Sequence, residues 1–146
     1  LVGIFAPSAT LSKPDLCTES LVISTDYENV DIINFAPINN IREVEKQTGK
    51  AILPSIFDGF VNQMIPKLEE LSDQIRNGDS EAASKTAHAI KSMSANIGAE
   101  RTRHVAASIE EAGRNSALSS CAKLYPLLQD SYEKFQEDFE RAIAFN

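Results

Sequence analysis

From Ile38 onward, apolar residues recur every three or four positions, and the runs are broken at glycines, which is the pattern of amphipathic helices joined by short turns. Ile38, Ile41 and the segment Val44 to Lys46 predict a short first helix that ends at Gly49, a residue suited to a left-handed C-cap. A long helix is predicted from about Ile52 to Asn77, with Leu53, Ile56, Phe57, Phe60, Met64, Leu68, Leu71 and Ile75 on one stripe. Pro66 lies inside it and removes one backbone hydrogen bond, so a kink is expected there. Asn77-Gly78-Asp79 stops that run, and Asp79 with Glu81 suits the positive end of the next helix dipole. A third helix is predicted over about Ser80 to Asn96, closed by Gly98, and a fourth over about Ala99 to Ala112, closed by Gly113. The last runs from about Ala117 to Ala144 on Leu118, Leu124, Leu127, Leu128, Phe135, Phe139 and Ile143, with Pro126 inside it. The fold class is therefore all-α: an antiparallel four-helix bundle with a short additional N-terminal helix as a lid.

Residues 1–36 lack this period. Pro7 and Pro14, with Pro37 at the edge, are mixed with Ser, Thr and Asp, so the segment reads as a linker or extension and the bundle as residues 37–146. Leu21-Val22-Ile23 and Val30 to Ile33 could form short extended pieces within it. A start at Leu1 followed by such a stretch is what a module excised from a longer protein would show.

Composition narrows the function. The 146 residues, 42% hydrophobic and 24% charged, suffice for one globular domain with a core and an extra segment. The net charge of -7, interspersed with basic residues, repels phosphate backbones and argues against nucleic acid as a partner. The apolar run near Leu1 to Ala6 is far below the roughly 20 residues needed to cross a bilayer, so no membrane contact is expected. Cys17 and Cys121 have neither metal nor redox spacing, which predicts no metal site and a reducing, cytoplasmic setting. A bundle with its own core is expected to be a monomer.

The chemistry is concentrated in the third helix. With a turn of about 100° per residue and Ile90 at the centre, Ala83, Thr86, Ala87, Met93, Ser94 and Ile97 form the buried stripe, whereas His88 falls on the opposite, solvent side. Around it on that outer face stand the small residues Ser84, Ser92 and Ala95, with Lys85 and Lys91 three residues to either side. An imidazole of ordinary pKa, about 6.5, is largely neutral and nucleophilic near pH 7. A phosphoryl group placed on it would bring close to two negative charges, which Lys91, and Lys85 with it, could offset. The face is a flat, basic landing site, and Ser84, Lys85, Ser92 and Ala95 are its expected docking residues.

The run Ala87-His88-Ala89-Ile90-Lys91-Ser92-Met93-Ser94-Ala95-Asn96-Ile97-Gly98-Ala99 resembles the phosphoacceptor motif of histidine-containing phosphotransfer (HPt) domains, H-x-x-K-G followed by small residues and an Asn-hydrophobic-Gly helix end. The resemblance extends from about Ile32 to Phe145 and includes Ile109-Glu110-Glu111-Ala112-Gly113. It implies that His88 is phosphorylated at its outer ring nitrogen, with Lys91 as the accompanying basic residue. It also implies that the domain accepts the group from one receiver aspartate and passes it to another. The parent chain would be a hybrid sensor kinase with this domain at its C-terminal end. One departure is Ser92, where the family usually has glycine; a serine there would narrow partner choice or add a hydrogen bond to the phosphate. No glycine loop for nucleotide phosphates and no carboxylate cluster for Mg²⁺ is evident, so the isolated domain is expected not to be an enzyme and to hold no cofactor, the receiver bringing the magnesium ion.

Blander readings cover the other residues. His104 lies at the edge of an apolar stripe as a boundary residue, Met64 and Met93 and the phenylalanines 57, 60, 135 and 139 read as core, and Glu137, Asp138 and Glu140 as a solvated face. Cys121 reads as a small buried apolar residue and Cys17 as a linker thiol. Two other functions compete: a helical interaction or dimerisation module in which His88 is incidental, and an acceptor phosphorylated directly by a chemotaxis-type kinase.

Overall fold

Five helices follow one another in a computed structural model that describes residues 27–144: α1 (Phe35–Thr48), α2 (Leu53–Arg76), α3 (Ser80–Ile97), α4 (Glu100–Arg114) and α5 (Leu118–Ala144). The described residues contain no β-strand, only an isolated bridge between Ile33 and Ala99. Cys17 and the expected extended piece at 21–23 lie outside the described residues.

Helix α1 begins before Pro37 rather than after it, because a proline in the first turn gives up an N–H that has no helical partner anyway. Asn34 caps it, its side-chain oxygen accepting from the Ala36 N–H at 3.1 Å, and Gly49 ends it at φ 73°. The helix buries only Ile38. It is joined to α2 by Glu45, whose carboxylate accepts from the N–H groups of both Ile52 and Leu53 at 2.7 Å. Ile52 offers no side-chain cap of its own, so Glu45 satisfies two of the orphan donors at the start of α2. These two backbone bonds, that from Leu53 foremost, hold the Glu45 carboxyl below its ordinary value.

Helix α2 runs unbroken past Pro66, which lies on its exposed side. It buries Leu53, Phe57, Phe60, Met64, Leu68 and Leu71, as the periodicity predicts, but leaves Ile56, expected on the same stripe, exposed. The aromatic centre lies between α2 and α5: Phe57 stacks on Phe139 with ring centres 4.4 Å apart, and Phe60 meets Phe135 edge-on at 5.6 Å. Met64, Cys121, Leu128 and Phe135 are fully buried, so the methionine and thiol are core residues. Asp79 caps α3 by accepting from Ala82 N–H at 3.1 Å. In the bundle α3 packs between α2 and α4, and α5 closes the ring by packing on α4 and α2.

Two glycines secure α3 at its ends. Gly98 stops α3 at φ 84°, and its carbonyl accepts from Asn34 N–H at 2.8 Å while Ile32 O accepts from Glu100 N–H at 3.1 Å. A Cβ at Gly98 would stand 2.2 Å from Asn34 O. Residues Ile32 to Asn34, read from sequence as linker, are thus paired to the α3–α4 junction, and the bundle unit begins at Asp31. Gly113 corrects another expectation. It lies within α4 rather than closing it, the reversal coming at Ser116 (φ 57°), and its role is close approach: a Cβ would meet Ser80 O at 2.8 Å and Ser84 Cβ at 2.9 Å.

Gly59 differs from all of these. It lies mid-helix in α2 without a positive φ, a Cβ there would meet nothing within 4 Å, and glycine at such a position weakens a helix by about 1 kcal/mol relative to alanine.

Gly49 and Gly98 share a left-handed backbone but differ in surroundings, since nothing lies within 4 Å of a Cβ at Gly49. Gly49→Ala is expected to cost about 1–2 kcal/mol, from φ alone. Gly98→Ala adds overlap with Asn34 and should cost about 2–5 kcal/mol. Urea unfolding midpoints of the two variants check the order; equal losses would contradict the tight junction described here.

Candidate functional site

The close α3–α4 contact at Gly113 sets up the site one turn further along. Ser84, His88 and Lys91, at i, i+4 and i+7, share the flank of α3 that faces α4. Ser84 donates from its hydroxyl to the Glu110 carbonyl at 3.0 Å, tying the two backbones together. The Glu110 side chain then reaches between the other two: His88 Nδ1 lies 2.9 Å from Oε2, and Lys91 Nζ lies 2.7 Å from Oε1. Arg114, one turn along α4, places a guanidinium nitrogen 3.9 Å from Oε2.

These residues differ in exposure. The His88 side chain is 59% exposed and the Glu110 side chain only 9%. Burial alone would raise the Glu110 carboxyl, but the Lys91 ammonium and then the His88 ring outweigh it and hold the carboxyl below its ordinary value. An ionised carboxylate can only accept hydrogen bonds, so Nδ1 is the nitrogen that carries the proton and donates to Oε2. In a neutral ring the lone pair is then on Nε2, at the far side of the imidazole from Glu110. The Glu110 carboxylate beside the ring thus faces two cations, an ammonium and a guanidinium. The arrangement therefore offers an oriented nitrogen nucleophile in a field that favours added negative charge.

The residues singled out from sequence do not all share the same surroundings. His88 is exposed, as the helical period places it, and Ser92 and Ala95 are exposed on the same side of α3. Ser84 is buried, at 7% exposure, because α4 approaches within the reach of Gly113; it is a helix-to-helix tie and not a docking residue. Lys85 is exposed but directed to Glu81, 3.6 Å away, and is not one of the Glu110 partners. Lys91 is only half-exposed and its ammonium is committed to Glu110, so it reaches the ring's surroundings through that carboxylate. Met93, expected on the buried stripe, is partly exposed at the α2 side.

Glu110 is the residue that the sequence reading passed over. It lies in the run Ile109-Glu110-Glu111-Ala112-Gly113. Its signal was present: on α4 it falls between Ala106 and Gly113 at helical spacing, a carboxylate set into an otherwise apolar stripe. The second histidine, His104, belongs to a separate group on α4, where its Nε2 lies 3.2 Å from Glu100 and Arg103 clamps the same carboxylate at 2.6 Å. No cluster of three or more metal-type ligands occurs among the described residues, and none of the described helices is long and apolar enough to cross a membrane.

The lowered Glu110 carboxyl makes folding pH-dependent in a stated direction. Its contribution to stability is complete above the ordinary glutamate value of about 4.3 and is lost as pH falls through the lower folded value. Glu110→Gln should therefore be less stable than wild type at pH 7 and approach it as pH falls below about 4. Urea midpoints measured from pH 7 to pH 3 check this, and a gap that stays constant would show that the carboxylate is not held ionised.

Comparison with known proteins bears on the family and the fold. The sequence model described as "Hpt domain" matches residues 55–138, which contain His88, Lys91 and Glu110. The chain shares a fold with the crystal structure of histidine-containing phosphotransfer protein B from Pseudomonas aeruginosa PAO1, with a TM-score of 0.69 at 22% identity over 79% of this chain and 96% of that one. No curated protein matches the sequence.

Proposed function

The chain belongs to the Hpt domain family, and from that premise we propose that His88 is its phosphoacceptor, with Glu110 and Lys91 as the groups that orient and balance it. As an Hpt domain the chain is a phosphotransfer intermediate of a phosphorelay and interacts with receiver domains. The observation that carries the assignment of His88 is the hydrogen bond of its Nδ1 to a buried, ionised Glu110 on an otherwise exposed ring.

In the forward step the Nε2 lone pair attacks the phosphorus of a receiver aspartyl phosphate. The N–P bond forms as the P–O bond to the aspartate breaks, and the carboxylate leaves with its electron pair. The ring gains positive character while keeping its proton on Nδ1, and the Glu110 carboxylate stabilises that charge as it develops. The reverse step uses the same device: a ring held cationic by Glu110 is the better leaving group when a second receiver's aspartate attacks. Lys91 keeps Glu110 ionised, and its ammonium, with Arg114, offsets the charge of the bound phosphoryl group. The magnesium ion that neutralises the transferring group belongs to the receiver's acidic site. The parent of this domain would be a sensor kinase of the hybrid type, acting in the cytoplasm, with the domain itself a monomer that has no catalytic step of its own.

Incubation with receiver domains carrying labelled aspartyl phosphate tests the reading. Label should pass to the chain, survive base, be lost in acid and be absent from His88→Ala. Label on the histidine variant would exclude His88 and favour an incidental role for it. Removing a hydrogen bond to a charged group is worth about 1.5–3 kcal/mol, so Glu110→Ala should slow transfer on the order of 10–100-fold. Lys91→Ala should also slow transfer without unfolding the bundle, and wild-type rates in both variants would remove the proposed roles.

A further inference from the structure

The hydrogen bond to Glu110 decides which side of the His88 ring is left for a phosphoryl group. At about 100° per residue around α3, Ser84 and Lys91 stand about 40° and 60° to one side of His88, and Ser92 and Lys85 stand about 40° and 60° to the other. The first side is the α4 flank, because Ser84 donates to the Glu110 carbonyl and Lys91 Nζ lies 2.7 Å from Glu110 Oε1. His88 Nδ1 is turned to the same flank, 2.9 Å from Oε2. Nε2, across the ring, therefore looks out over the flank that carries Lys85 and Ser92, both exposed.

Side chains of an α-helix lean toward its N-terminus, so each covers the surface of the turn before its own. Ser92, one turn after His88, thus leans back over the imidazole, whereas Ser84, one turn before, leans away from it. The hydroxyls of Ser84 and Ser131 are engaged within the fold, and Ser92 is open to water. Lys85 lies 3.6 Å from Glu81, with the two side chains 78% and 83% exposed. An ion pair so exposed contributes little, and a phosphoryl group with close to two negative charges is the stronger partner. Lys91 is not exchanged in this way, because its release would leave a carboxylate only 9% exposed without its ammonium.

We propose that Ser92 and Lys85 together hold the phosphoryl group on Nε2, the hydroxyl donating to one phosphoryl oxygen and the ammonium leaving Glu81 to pair with another. Lys91 stays on Glu110 throughout. The inference rests on the assignment of His88 as phosphoacceptor and names the groups of this chain that contact the phosphorylated ring. Of the charges around the site, Lys91 and Arg114 act on the phosphoryl group from the α4 side, beyond Glu110, and Lys85 acts by direct contact.

The test uses the full chain phosphorylated on His88 with potassium phosphoramidate, in which the ring nitrogen displaces ammonia from phosphorus and no protein partner takes part. Phosphorus NMR then follows the last ionisation of the phosphoryl group, near pH 6, in wild type, Ser92→Ala, Ser92→Thr and Lys85→Met. A donor or cation in contact favours the dianion, so its loss raises the titration midpoint. Ser92→Ala and Lys85→Met should each raise it by about 0.5 unit or more. Ser92→Thr, which keeps the hydroxyl, should titrate as wild type, and the urea midpoints of the unphosphorylated variants should stay close to wild type because both positions are exposed. A wild-type titration in either Ser92→Ala or Lys85→Met would overturn the pair while leaving His88 as the phosphoacceptor. Equal shifts in Ser92→Thr and Ser92→Ala would overturn it too, since the hydroxyl would then not be the cause. A wild-type chain that takes no phosphoryl group on His88 would remove this inference together with the assignment beneath it.

Discussion

A carboxylate that is nine-tenths buried cannot remain ionised without partners, and the Glu110 site is organised around that requirement. Lys91 and His88 answer it from α3, and Arg114 from α4 itself. They can do so because the two helices are in close contact: Gly113 has no side chain to hold them apart, and the Ser84 hydroxyl bridges to the Glu110 carbonyl. The close approach of the two helices thus permits the pairing of one internal charge, and that pairing engages the ammonium of Lys91 and sets the tautomer of His88.

From the same constraint comes the division between rigid and reactive parts. The side of the imidazole that meets Glu110 is held by a buried partner, whereas the ring as a whole is more than half exposed. Precision is supplied from below and access from above. The bundle supports this with an aromatic core between α2 and α5 and with termini that are individually capped, by Asn34, by Glu45 and by Asp79. The result suits the phosphotransfer intermediate that an Hpt domain is: a ring of fixed orientation that stays open to solvent.

Much of this was legible in the sequence, for reasons that can be named. Helical period and glycine stops located α2, α3 and α5 within a residue or two, and the same arithmetic placed His88 on the solvent side. It erred where it assumed one buried stripe per helix. Helix α3 packs on two neighbours, so Ser84, well away from the Ile90 direction, is nonetheless covered by α4. Gly113 was read as a stop because glycine serves both as a C-cap and as a point of close contact, and spacing alone does not separate the two uses. Glu110 was passed over because a charge on a helix usually faces water; only its interruption of the Ala106–Ile109–Gly113 stripe set it apart. The partnership of Glu110 with His88 joins residues 22 positions apart on different helices, and no local pattern encodes it.

The account depends on which nitrogen of His88 carries the proton, and nitrogen NMR of the imidazole, at a pH where the ring is neutral, reads this directly. The Nδ1 signal should be that of a protonated nitrogen and the Nε2 signal that of a bare lone pair, with the preference lost in Glu110→Ala. A ring protonated mainly at Nε2, unchanged by removal of Glu110, would contradict the claim that a buried carboxylate prepares this histidine to receive phosphate.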